Sequence, residues 1–208
     1  MNKIFVGIPS GTSIPISLWN SYGDAVRLRN GDKIQHYNIR GTNAVSARNS
    51  CVYEMLQGDY THLLFFDSDM AFPENTLQKL LDHDKDIVGG FYVRKREEFA
   101  PTVFKLGERP EGKFVTEWIN DFKEVEAIGT GCLLIKREVF ENIECPWFEY
   151  KWNGSPDGKM ITEDLVFCEK AKEAGYKIYC DGTIKCGHVN SMVIWPQETV
   201  MTNRIEPI

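Results

Sequence analysis

Two aspartates, Asp67 and Asp69, follow the apolar run Leu63-Leu64-Phe65-Phe66. Side chains two residues apart leave an extended chain on the same face, so both carboxylates can converge on one point. Adjacent carboxylates repel unless a cation lies between or beside them, which makes a hard divalent ion their natural partner. An Asx-type turn ahead of Pro73 would explain a single Asp; a pair favours metal. A second acidic element, Thr162-Glu163-Asp164, opens a predicted helix about a hundred residues later. Acids in a first helical turn also stabilise its positive end, so alone this element reads as capping. Gly154, Pro156 and Gly158 just before it form a segment able to close over a ligand and bring the helix start into a site. The third feature is His188 in Cys186-Gly187-His188-Val189, an imidazole after a strand and a third potential metal donor. His36, His62 and His83 lie in ordinary strand or helix contexts and are assigned nothing.

The elements that must position these groups alternate. Residues 3–8 read as a buried strand stopped by Pro9, Ser10 and Gly11; a helical pattern follows through Leu18, Tyr22, Ala25, Val26 and Arg29 to Gly31. Residues 33–39 read as a strand. A helix over 44–56 is capped by Thr42 or Asn43 and closed by Gly58. Residues 61–66 are near-continuously apolar, as in a strand buried on both faces of a parallel sheet. Pro73 opens a helix carrying Leu77, Leu80 and Leu81, and 86–93 is the next strand. This order predicts a doubly wound α/β domain with a mostly parallel central sheet flanked by helices, whose ligands bind at the carboxyl ends of the strands. The second half is a smaller mixed-strand portion. It has a polar loop or hairpin over 94–112, short strands at 114–119, 124–128 and 132–136, and an aromatic, Gly- and Pro-rich loop over 144–160. A helix over 162–174 and closing strands at 177–180 and 183–186 complete it. One domain over 1–208 is expected, its front half (about 1–93) binding a ligand and its back half (about 94–208) covering it.

Composition narrows the partners. With 42% hydrophobic and 26% charged residues the chain is of ordinary globular type, neither disordered nor fibrous. Its 24 Lys and Arg against 30 Asp and Glu, a net charge of -6, argue against nucleic acid or an anionic membrane as the main partner. Apolar runs such as 63–66 and 132–135 are far short of a membrane span, and no signal peptide is expected. Cys51, Cys132, Cys168 and Cys180 lie in apolar patterns, and no CxxC pair is present. A reduced, cytoplasmic protein is therefore expected, with the sequon Asn153-Gly154-Ser155 an accident in a turn.

In their order along the chain, these pieces resemble a small GT-A-fold glycosyltransferase of the broad group that includes family 2 enzymes. The resemblance rests on the opening strand with Ile8-Pro9-Ser10, on Ala47-Arg48-Asn49 and on the "DxD" Asp67-Ser68-Asp69. It continues through residues 128–137 (IGTGCLLIKR) with Glu138-Val139-Phe140, the "ED" pair Glu163-Asp164, and the late His188. It implies nucleotide contacts from Pro9, Ser10 and Ser68, and Arg48 stacking on the nucleotide or pairing with phosphate. Asp67 would face the ribose or a metal-bound water, and Asp69 would ligate Mn2+ (or Mg2+), with His188 completing a site that includes Asp67. The donor would be a nucleotide-diphosphate sugar (a UDP- or GDP-sugar) and the acceptor a glycan or other hydroxyl. Asp164 would be the general base of an inverting transfer, with Glu163 orienting donor or acceptor. Trp147, Phe148, Tyr150 and Trp152 offer a sugar-stacking platform or core packing. The front half would then hold the nucleotide and the back half the acceptor, as a minimal core drawing on a partner for its acceptor. The first loop departs from the family, with Gly11-Thr12-Ser13-Ile14-Pro15 in place of small polar residues ending in Asn.

Rival readings share parts of this pattern. A haloacid-dehalogenase-like phosphatase would use Asp67 as nucleophile with Asp69 beside it, but its motif sits near the chain start, with Thr or Val where this chain has Ala71. A sugar nucleotidyltransferase would place Arg and Lys in the loop occupied here by Ser10-Gly11-Thr12-Ser13. A catalytically silent nucleotide-sugar or carbohydrate-binding protein is the non-enzyme alternative; the intact carboxylate pair, helix-start acid and late His weigh against it.

Overall fold

The computed structural model describes residues 1–11, 14–29, 31–40, 42–95, 99–106, 114–154, 156, 158, 160–189, 192–196 and 203–207. Thr12 and Ser13 of the first loop, part of the expected 94–112 hairpin, and Ser155 of the sequon lie outside them.

The first half runs β1 (Lys3–Ser10), α1 (Ile16–Ala25), β2 (Lys33–Arg40), α2 (Ala44–Gln57), β3 (His62–Phe66), β4 (Met70–Ala71), α3 (Thr76–Asp82) and β5 (Ile87–Phe91). Next come β6 (Val103–Leu106), β7 (Phe114–Thr116), β8 (Phe122–Val125), β9 (Ala127–Ile128), β10 (Cys132–Lys136) and α4 (Arg137–Asn142). The chain continues with β11 (Lys151–Trp152), β12 (Met160–Ile161), α5 (Glu163–Glu173), β13 (Ile178–Lys185), β14 (Gly187–Val189), β15 (Met192–Pro196) and β16 (Asn203–Pro207).

Seven strands form the central sheet in the order β2-β1-β3-β10-β5-β13-β8. The expected mostly parallel sheet is instead mixed. β1 runs parallel to β2 and β3, and β5 to β13, whereas β10 opposes both β3 and β5 and β8 opposes β13. The chain enters β10 at the carboxyl end of β3, with Cys132 opposite Phe66 and Lys136 opposite His62, so β10 can only descend. The apolar run of β3 correctly signalled burial on both faces: Leu63 and Phe65 join one core cluster, Leu64 and Phe66 the other. Burial on both faces does not, however, encode the direction of a neighbour. Helices cover both faces. Cys51, Val52 and Met55 of α2 and Phe167, Cys168 and Ala171 of α5 pack on one; Leu18 and Tyr22 of α1 and Leu77 and Leu80 of α3 pack on the other.

Local chemistry sets several boundaries. The Asn43 side chain accepts the Ser46 N–H at 2.9 Å, an N-cap for α2, and Gly58 closes that helix. α1 stops at Ala25, short of the periodic pattern's Arg29. Pro73 opens a turn and not the helix, because Asn75 at φ 58 interrupts the chain before α3 begins at Thr76. The two expected closing strands are one, β13, with a bulge between Asp181 and Lys185. Three smaller sheets accompany the main one: β16-β15-β14-β4, β7-β6-β9 and β11-β12. Among the described residues no helix is long and apolar enough to cross a membrane.

Candidate functional site

At the carboxyl end of β3 the chain turns, and three backbone hydrogen bonds hold the turn. The Asp67 N–H donates to the Gly131 carbonyl at 3.0 Å, the Ser68 N–H to Pro9 at 3.3 Å, and the Met70 N–H to the Asp67 carbonyl at 3.2 Å. Because β3 ends at Phe66, residues 67–69 are not extended and the same-face rule fails. The two carboxylates diverge. Asp67 accepts a two-pronged fork from Arg48 of α2, Nη1 to Oδ1 and Nη2 to Oδ2, both at 2.9 Å. That guanidinium is buried, lies 5.3 Å from the Phe65 ring centre, and turns its Nε toward Glu163 at 3.5 Å. Burial alone would ease the proton off Arg48; Asp67 and Glu163 outweigh it and keep the guanidinium charged. The Glu163 carboxyl is pushed above its ordinary range by burial, which Arg48 only partly offsets. Arg48 thus ties the strand-end turn to the start of α5, with both terminal nitrogens spent on Asp67 and not on open space.

Asp69 faces another way. It pairs with Lys95, and its Oδ2 lies 3.7 Å from His188 Nε2. The late histidine arrives because β14 pairs antiparallel with β4, His188 opposite Met70, and the Val189 N–H donates to the Asp69 carbonyl at 2.8 Å. His188 Nδ1 sits 2.8 Å from the Val93 carbonyl, which can only accept, so Nδ1 carries a proton and Nε2 is the ring nitrogen facing Asp69. Burial pushes the Asp69 carboxyl up, but His188 and Lys95 more than offset it and hold it well below the usual carboxylate range.

Among the described residues no group of three or more His, Cys, Asp or Glu could hold a metal ion. The expected trio is therefore a pair, Asp69 and His188, with Asp67 spent on Arg48. One carboxylate and one imidazole of fixed tautomer still suit a divalent ion of the Mn2+ type. Two protein ligands suffice where substrate phosphates and water complete the shell.

Glu163 and Asp164 open α5 behind Thr162. Asp164 Oδ1 accepts the Leu165 N–H at 2.9 Å and the Thr162 hydroxyl. The phenol of half-exposed Tyr150 is raised by burial and then by the nearby carboxylates of Glu163 and Asp164. Between the two acidic elements lies Tyr92. Its phenol is raised well above its usual range by burial and then by Asp67 and Asp164, and its ring meets His188 edge-on at 5.5 Å. The Tyr92 hydroxyl accepts the Gly131 N–H at 3.0 Å. A Cβ on Gly129 would lie 2.3 Å from that oxygen, and one on Gly131 at 2.9 Å. The Gly-Thr-Gly loop is thus a cradle for Tyr92, and the same loop holds the Asp67 N–H.

Pro9 and Ser10 lie beside the turn, Pro9 through its carbonyl. The Ser10 hydroxyl donates to Ile39 at 3.2 Å and accepts from Asn38 Nδ2 at 3.0 Å, so it is built into the β1–β2 edge. Of the aromatic residues, Trp147 is core and not platform: it is 9% exposed, and its Nε1 donates to the Phe140 carbonyl at 2.9 Å. Phe148 is wholly buried and stacked on Phe167 at 4.8 Å. Trp152 and Tyr150 are exposed, Trp152 opposite Met160 in the β11–β12 hairpin. A cleft of about 500 Å³ lined by Asn142, Cys145, Lys170 and Glu173 lies between the ends of α4 and α5 and includes none of the site residues.

Sequence reasoning missed Tyr92, Val93 and Lys95. The signal was present: they follow the apolar strand β5 at the carboxyl edge of the sheet, where ligands bind in open α/β folds, and Arg94-Lys95-Arg96 is a cationic run at that point.

No family model and no curated protein matches the chain. Among solved structures it is similar to the crystal structure of A197 from STIV, at 23% identity and a TM-score of 0.69, over 100% of this chain and 95% of that one. At that identity the likeness shows the fold alone, a mixed α/β sheet flanked by helices.

Proposed function

We propose that the protein is a metal-dependent glycosyltransferase that moves a sugar from a nucleotide-diphosphate sugar to an acceptor hydroxyl with inversion. The observation that carries this reading is the Arg48 bridge, which brings the Asp67–Asp69 turn and the Glu163–Asp164 helix start to one rim at the carboxyl edge of the sheet. A divalent ion held by Asp69 and His188 would supply charge stabilisation to the leaving diphosphate. Pro9, Ser10 and Ser68 border the nucleotide. Arg48 acts as a positioning residue, holding Asp67 and Glu163 in place. Asp164 takes the acceptor's proton; the Leu165 N–H and Thr162 hydroxyl both bind its Oδ1 and fix the carboxylate's orientation. Trp152 and Tyr150 present exposed ring faces to an acceptor sugar.

The phosphatase alternative is disfavoured because Arg48 holds both oxygens of its would-be nucleophile, Asp67. The silent-binder alternative separates by turnover, since it would bind donor without hydrolysing it. The first experiment is a thermal-shift panel of UDP-, GDP- and dTDP-sugars with and without Mn2+. The matching donor at 100 times its dissociation constant should stabilise the fold by about 2.7 kcal/mol, a rise of about 5–10 °C in Tm. No shift with any donor in Mn2+ contradicts the reading.

A further inference from the structure

Lys95 has no part in the expected donor site, yet its ammonium sits on the carboxylate expected to hold metal. The contested atom is one oxygen: Asp69 Oδ2 is paired with Lys95 Nζ and is also the oxygen facing His188 Nε2. A divalent ion between Asp69 and His188 would therefore meet a like charge already on its ligand. The segment carrying Lys95 is well anchored. Val93 bridges to Pro101, the Arg94 N–H donates to Ala100 at 2.9 Å, the Tyr92 hydroxyl holds Gly131, and the Val93 carbonyl orients His188. The Lys95 side chain, 29% exposed on a four-carbon stem, can change rotamer without moving that backbone.

Charge balance says where it would go. Asp69 and Lys95 together are neutral; a divalent ion added to them leaves two surplus positive charges. A nucleotide sugar's diphosphate carries two negative charges, which cancel that surplus without expelling either cation.

We propose that Lys95 is a phosphate-binding residue that guards Asp69 in the free protein and transfers its ammonium to the diphosphate when metal and donor bind together. This rests on the donor-site reading above. It has a consequence that a merely supporting lysine lacks: metal and diphosphate must each tighten the other's binding, and removing Lys95 must move the two affinities in opposite directions.

The test uses Lys95→Met, which keeps the stem and removes the charge, with unchanged Tm as the folding control. Mn2+ binding is measured alone, by the spin resonance of free Mn2+. UDP, GDP and dTDP are then titrated calorimetrically in saturating Mn2+. Against wild type, Lys95→Met should bind Mn2+ alone about tenfold tighter, while the nucleoside diphosphate that wild type prefers should bind about tenfold weaker. Unchanged Mn2+ affinity, or both affinities weakened together, overturns the proposal and leaves Lys95 a structural partner of Asp69. A wild type that binds none of the three nucleotides in Mn2+ defeats the donor-site reading itself, an outcome visible before any variant is made.

Discussion

Replacing Arg48 by Met would leave Asp67 and Glu163 facing a buried gap with no counter-charge between them. Their side chains are 23% and 11% exposed, so neither is well solvated. Breaking a buried ion pair from one side costs about 3–5 kcal/mol, and urea unfolding of Arg48→Met should show a loss in that range. A loss below about 1 kcal/mol, the size of a surface pair, would mean the bridge does not organise the site. Arg48→Lys should recover only part, because an ammonium cannot make the two-pronged fork. At this scale the sequence exposed residue types better than partnerships. Asp67, Asp69, Asp164 and His188 stood out by position, whereas the pairing of Asp67 with Arg48 and of Asp69 with Lys95 depends on a turn and on rotamers that spacing does not encode. Trp147 misled because an aromatic-rich loop reads alike whether its rings face solvent or core.

The loop Gly129-Thr130-Gly131 is the element on which the site turns, and its fit to Tyr92 is testable. Gly129→Ala would put a methyl 2.3 Å from the Tyr92 hydroxyl oxygen, with Thr102 Cβ next at 3.1 Å. Overpacking of this kind costs about 1–3 kcal/mol. Tyr92→Phe removes the closest obstructing atom, so the double variant should lose less than the sum of the two single losses, by a coupling of about 0.5–3 kcal/mol. Strictly additive losses in chemical denaturation would show that Tyr92 and the loop are not in contact as described.

A second element tie is the β13 bulge. Asp181 Oδ1 accepts the Thr183 N–H at 2.8 Å and its hydroxyl at 2.6 Å, while Oδ2 lies 2.8 Å from His83 Nε2, whose ring stacks on Phe122 at 4.0 Å. Burial pushes the Asp181 carboxyl up, but Thr183 and His83 hold it below its ordinary range. A carboxyl whose folded pKa is depressed stabilises the fold above the unfolded value of about 3.9 and loses that contribution as pH falls below it. Asp181→Asn should therefore flatten the acid side of the stability profile between about pH 4 and pH 2. An unchanged acid limb would contradict the tie. Among elements, β1, β2, α2, β3 and α5 were legible from apolar runs and capping residues. β4 and β14 were not: two- and three-residue strands carry no periodicity, and their pairing is visible only in three dimensions.

Over the whole molecule, the front and back halves expected from the sequence share one sheet, since β10, β13 and β8 of the second half interleave with or extend from the strands of the first. The residues of the candidate site follow suit, with His188 brought from beyond β13 to Asp69 just past β3. The α/β class and the helices on both faces were legible because burial and alternation encode them. The mixed strand direction was not, because it depends on the end at which the chain re-enters. The central claim is that Asp69 and Asp164 serve different steps at one site. The direct test measures donor binding and donor turnover side by side in Mn2+, for wild type, Asp69→Ala and Asp164→Asn, with the nucleotide sugar that gives the thermal shift. Asp69→Ala should lose binding and turnover together. Asp164→Asn should bind donor with wild-type affinity while transfer to an acceptor, or to water, falls by about 10²–10⁴-fold. If Asp164→Asn keeps most of its turnover, Asp164 is a first-turn helix acid and the account of the site is wrong.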